Sequence, residues 1–161
     1  MRRLLDWSEK SVSFLTIILF IAMTIMVFTQ VVLRFVFDSS IIWAEEFSRY
    51  AMVWLAFLGA TIGIRHEEHT RIDFFLKLLP KKLKKLMEIV NKILCVIFLG
   101  VITYYSIIMF ESTFSLLTPA MKIPIGLVHS ILPATGIIMI VYILIQIVDI
   151  IKFEKEGDQT V

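Results

Sequence analysis

The feature that most constrains this chain is a hydrophobic stretch that is too short. Between Tyr50 and Ile64 lie fifteen residues without charge. At ~1.5 Å per residue they make about 22 Å of helix, less than a hydrocarbon core of roughly 30 Å. A span here reaches across only by starting near Ile41, and it then takes Glu45, Glu46 and Arg49 with it. An unpaired charge at the bilayer centre costs about 2.5–3.5 kcal/mol on insertion scales. These three residues therefore lie near one membrane surface, pair with one another, or face another protein.

The rest of the chain supports a membrane setting. Of its 161 residues 58% are hydrophobic, with a mean hydropathy of +0.87, whereas soluble domains are about 45–50% apolar. The length accommodates four spans with short connections and no sizeable soluble domain. Cys95 is the single cysteine, so no intrachain disulfide forms and no redox compartment follows. The first apolar run is too long for a signal peptide and has no small-residue cleavage site, so none is expected to be removed.

A polar lead, MRRLLDWSEK, precedes 23 uncharged residues from Ser11 to Leu33, about 34 Å as a helix. Gln30 and Arg34 close this first span, and Arg34 can snorkel to the interface. Asp38-Ser39-Ser40 makes a tight reversal and offers side-chain caps to the second helix. That helix carries Trp43, Tyr50 and Trp54 as interfacial or packing aromatics. Gly59 and Gly63, four apart, form a small-residue face that permits close helix contact.

The main polar connection, Arg65 to Lys85, holds seven basic residues: Arg65, Arg71, Lys77, Lys81, Lys82, Lys84 and Lys85. Ile72, Phe75, Leu76, Leu79, Leu83 and Leu86 fall at helical spacing, with Asp73 and the lysines opposite. This predicts an amphipathic segment, about 72–85, lying in the headgroup region. Pro80 divides it and opens the next helix. The third span has 18 uncharged residues, Ile93 to Phe110, between Lys92 and Glu111. A breaker-rich loop, TPAMKIPIG, leads to the fourth, which Pro133 bends. The tail KFEKEGDQTV is polar.

The expected fold is thus an all-α membrane protein: one domain over 1–161, four transmembrane helices at about 11–36, 41–64, 88–111 and 127–149, and a cytoplasmic interfacial segment between the second and third. Four spans put the N-terminus, the Arg65–Lys85 connection and the C-terminus on one side. That side carries three, seven and two basic residues, or twelve, against Arg34, Arg49 and Lys122 on the other. The positive-inside rule makes both termini cytoplasmic.

Catalytic chemistry finds little support. His66-Glu67-Glu68-His69 sets two histidines three apart, not the four of a helical zinc-protease motif, and reads as a solvated charged turn. Haem ligation needs histidines inside spans, but His66 and His69 are in a loop and His129 is near an outer end. No phosphate-binding glycine loop occurs, and Gln146 and Asp149 read most simply as interfacial. No mid-span carboxylate offers ion coupling. Neither a metal, a cofactor nor a nucleic acid is expected, and lipid is the partner that composition requires.

The run RFVFDSSIIWAEEFSRYAMVWLAFLGA, then R-x3-H-x-R-I-D, P-A-M-x-I-P and Pro133, resembles the small membrane subunit, the DctQ type, of tripartite ATP-independent periplasmic (TRAP) transporters. The resemblance covers nearly the whole chain. Arg34, Trp43, Glu45, Glu46, Arg49, Tyr50, Trp54, Gly59, Arg65, His69 and Asp73 match positions of the family pattern. Asp38 departs from it, Asn being expected there more often.

The resemblance implies a bacterial inner-membrane subunit that is not an enzyme and lacks coupling sites. In such systems a large membrane subunit carries the substrate and sodium sites, and a periplasmic binding protein delivers an organic acid. That acid is, for example, a C4-dicarboxylate or a sialic acid, and the small subunit scaffolds the large one. The charged stretch is then either a network within the subunit or a direct contact with the large subunit. Glu45 and Glu46 lie four and three residues before Arg49, so either can pair with it, with Arg34 arriving from the first helix. Two alternatives differ in class: a self-assembling four-helix carrier, and a membrane enzyme with a surface site at His66–Asp73.

Overall fold

The structure, a computed structural model, describes residues 2–39, 41–66 and 81–157. Helix α1 runs over Arg2–Val36, α2 over Ile42–Arg65 and α3 over Lys81–Thr113. A short helix, α4, Ile125–His129, precedes α5, Ile131–Gly157. Among the described residues, four stretches are long and apolar enough to cross a membrane: Glu9–Val36, Ile42–Arg65, Leu86–Thr113 and Ile125–Ile150. The protein is therefore of the expected all-α membrane class. Most of the expected interfacial segment, with His69 and Asp73, lies outside the described residues. Its last positions, 81–85, form the opening of α3.

Helix ends follow local chemistry, in part unlike the expectation. The α1 helix stops where Asp38 takes a left-handed φ of 49°, and the Ser39 N–H reaches back to the Leu33 carbonyl at 3.1 Å. This closes the last turn of α1 in the manner of a Schellman cap, a position that Gly or Asn favours and Asp tolerates. Asp38 thus ends the first helix instead of capping the second. The residue at the cap of α2 is Ile41, extended and without a side-chain cap bond.

Pro133 acts upstream of itself. It has no N–H for the carbonyl four residues back, and its ring crowds that carbonyl. The fourth span accordingly breaks at Ser130, separating α4 from α5. Between α3 and α4 the chain folds on itself around a single antiparallel bridge, Leu117 with Pro124. The Thr118 N–H donates to the Ile123 carbonyl at 2.9 Å, and the Ile125 N–H to that of Leu116 at 2.8 Å. Lys122 adopts a φ of 56° at the turn, and Thr118 is fully buried.

The helices stand in an open row. α1 packs on α2, α2 on α5 and α5 on α3, so α1 and α3 form the two ends. Val12, Leu58 and Ile131 make the core where α1, α2 and α5 meet, with Leu19, Trp54, Phe57, Ile62 and Leu132 around them. α4 sits against the C-terminal end of α3 because residue 126 is glycine. A Cβ there would lie 2.8 Å from the Phe110 carbonyl oxygen and 2.9 Å from the Phe114 Cα, both backbone atoms.

Candidate functional site

Three polar joints hold the row together, one near each end and one midway. At the joint beside the loop between α3 and α4, the outer joint in the expected topology, Glu46 sits one turn into α2 and is buried. Its Oε1 accepts the Tyr50 hydroxyl at 2.8 Å. Its Oε2 accepts two successive backbone N–H groups from the loop, Ala120 at 2.8 Å and Met121 at 2.9 Å. One carboxylate thereby satisfies two donors that a tight turn leaves unpaired, and charge-assisted bonds of this kind are the strong ones. The loop is strapped to the start of α2.

The middle joint is Trp54, twelve residues beyond Ile42 and so near the centre of α2. Its indole N–H donates to the Val128 carbonyl at 2.8 Å. The last carbonyls of any helix lack intrahelical partners, and the break before Pro133 exposes those of α4 at this depth. Trp54 is therefore an internal tie between α2 and the fourth span, not the interfacial anchor its residue type favours. Trp43 is exposed at the N-terminal end of α2.

The joint at the opposite end, the inner joint in the expected topology, gathers α1, α2, α3 and α5. Glu9 receives Arg65 Nε at 3.2 Å and pairs with His66 Nε2 at 3.0 Å. The Arg65 guanidinium also stands 5.6 Å from the centre of the Tyr142 ring, a cation–π distance. Beside them the buried Lys92 donates to Gln146 Oε1 at 2.8 Å, and the Gln146 amide donates to the Ile64 carbonyl at 2.7 Å. Gln146 is thus a structural link between α2, α3 and α5 where an interfacial residue was expected. Neither Lys92 nor Gln146 stands out in the sequence, because nothing in a linear pattern shows that positions 54 residues apart meet.

The four charges expected to cluster are not brought together. Glu46 is taken by the loop, while Arg34, Glu45 and Arg49 are exposed. Among the described residues no ion pair joins any two of the four. Gly63 is buried, but Gly59 is exposed with nothing within 4 Å of its Cβ position. The small-residue face is therefore only half used inside the chain. Groups of three or more metal-ligating side chains are absent among the described residues.

An all-α, multi-pass membrane protein whose buried polar groups tie its own helices together is what this fold and these joints define. Residues 23–153 match the family described as tripartite ATP-independent periplasmic transporters, DctQ component. The chain belongs to that family, the small permease subunits, and so stands among transport proteins and not enzymes. It is 29% identical to a putative TRAP transporter small permease protein of Haemophilus influenzae, over 98% of each chain. It is 31% identical to the C4-dicarboxylate TRAP transporter small permease protein DctQ of Vibrio cholerae, over 48% of this chain and 33% of that one. It also matches the sialic acid TRAP transporter permease protein SiaT of H. influenzae, 39% identical over 42% of this chain and 11% of that one.

Proposed function

We propose that the chain scaffolds the large membrane subunit of a sodium-coupled transporter that takes up an organic acid delivered by a periplasmic binding protein. The observation that carries this is the open row. Its first and third spans are only 6% and 11% buried, so the described helices leave wide faces for another membrane protein to cover. No acidic residue lies mid-span to couple an ion. The names of the similar proteins support a C4-dicarboxylate or a sialic acid as the class of substrate. SiaT is a much longer permease protein that this chain matches over 11% of its length, which supports a small and a large part working as a unit.

Arg34, Trp43, Glu45, Arg49 and Gly59, exposed on the row, are the residues we assign to contact with the large subunit. Glu46, Tyr50, Trp54 and Arg65 keep the row in shape, while His69 and Asp73 lie outside the described residues. The inner membrane is the location, with both termini cytoplasmic on the strength of twelve basic residues against three. Reconstitution in liposomes tests the role. Sodium-driven uptake of the acid is expected only when this chain, the large subunit and the binding protein are all present, and uptake by this chain alone would sink the proposal.

A further inference from the structure

The two ends of the row differ in a way that tells lipid from protein. On α1 the outward surface is apolar, with Phe14, Ile17, Phe20, Ile25 and Phe28 exposed. Its exposed hydroxyls look after themselves: Thr24 donates to the Phe20 carbonyl and Thr29 to that of Ile25, each at 2.8 Å. Such a surface needs nothing from its surroundings and suits acyl chains.

The outward surface of α3 is different. Tyr104 and Tyr105 are 63% and 65% exposed, with their rings edge to face at 5.5 Å. Neither hydroxyl has a hydrogen-bond partner among the described residues. A tyrosine hydroxyl, unlike that of threonine, is held too far from its own helix to bond back to the preceding turn. Both residues lie about 4–8 Å from the centre of the third span at ~1.5 Å per residue, while the half-thickness of the core is about 15 Å. The Cα–Cβ bonds of a helix tilt toward its N-terminus. From this position that is toward the middle of the membrane and away from the nearer interface, so the hydroxyls do not reach water. Hydrocarbon offers no acceptor.

We infer that the Tyr104–Tyr105 face of α3 docks on a membrane-spanning helix of the large subunit that presents oxygen acceptors at this depth, while the mid-span surface of α1 faces lipid. The inference rests on the scaffolding role proposed above and adds a mid-membrane contact on α3 to the exposed residues of α1 and α2 assigned there.

Site-specific photocrosslinking in the co-expressed complex tests it. Benzoylphenylalanine replaces Tyr104 or Tyr105 in turn, with Phe20 and Phe28 on α1 as controls. The expected result is an adduct with the summed mass of the two subunits from Tyr104 or Tyr105 and none from the controls. Adducts from both tyrosines only to lipid or to a second copy of this chain would overturn the assignment. Tyr104→Phe with Tyr105→Phe is expected to reduce several-fold the large subunit retained in detergent washes, and unchanged retention would overturn the hydrogen-bonding argument. Co-purification of the unsubstituted chain separates the two levels. If it fails, the scaffolding role falls and this inference with it; if it succeeds, the crosslinks judge α3 alone.

Discussion

Glu46 on α2 and Met121 in the loop after α3 are 75 positions apart and joined by a 2.9 Å bond from backbone N–H to carboxylate. With the Ala120 N–H on the same oxygen and Tyr50 on the other, Glu46 sets where the outer loop lies. Glu46→Ala leaves two backbone donors and a hydroxyl without an acceptor. These donors are part-buried, and leaving them unsatisfied destabilises the outer loop. The purified chain or complex should melt several degrees lower. Glu46→Gln, which keeps one oxygen for the two N–H groups, should lose less, and Tyr50→Phe least. Equal melting temperatures for all three would mean that the loop holds itself in place.

The helices themselves were legible because hydrocarbon thickness and charge spacing leave few solutions, so four spans follow from apolar runs and their flanks. The joints were not. Helical spacing allowed Arg49 to pair with Glu45 or Glu46, but the actual partners of Glu46 are backbone N–H groups, which every residue but proline carries and no residue type advertises. The row was equally hidden, since composition shows that a helix is apolar and not which neighbour it chooses. Lys92 looked like a charge flanking a span, yet it is 2% exposed. What could have been read is the break: Pro133 marks a weakened carbonyl four positions earlier, and that places the end of α4 at Ser130.

Trp54→Phe separates the ring of this residue from its hydrogen bond. Phenylalanine still packs against Leu58 and Ile131, but the Val128 carbonyl loses its indole donor at 2.8 Å. A net loss of about 1 kcal/mol is expected, the usual worth of a neutral hydrogen bond. Chemical denaturation in mixed micelles should show it as a lower midpoint. A midpoint equal to that of the unsubstituted chain would mean that packing alone holds α2 to the fourth span.

Gly136 on α5 faces Thr103 on α3. A Cβ at residue 136 would be 3.3 Å from the Thr103 Cβ and closer still to its Oγ1. That hydroxyl is buried without a partner, so Thr103→Ala removes no hydrogen bond and should be nearly neutral. Gly136→Ala alone overpacks the contact and should cost about 1–3 kcal/mol. In the double variant the methyl enters the space left by the hydroxyl, and stability should return to near its starting value. A melting-temperature cycle over the four proteins reads the coupling, and additive effects would show that α3 and α5 can slide apart freely.

The strongest test of the inner joint is Gln146, which serves two helices with one amide. Gln146→Leu takes one acceptor from the buried Lys92 ammonium and a donor from the Ile64 carbonyl. A hydrogen bond to a charged group is worth about 1.5–3 kcal/mol, so this single change should exceed the loss from Trp54→Phe. Lys92→Met removes the charge and keeps the length of the side chain. Because Lys92→Met takes away the ammonium that Gln146→Leu deprives of one acceptor, Lys92→Met combined with Gln146→Leu should recover part of what Gln146→Leu loses. The same four proteins, scored by melting temperature, decide the point. Strictly additive losses would mean that the Lys92 ammonium draws its stabilisation from elsewhere at the inner end, and that Gln146 ties α5 to α2 through Ile64 alone.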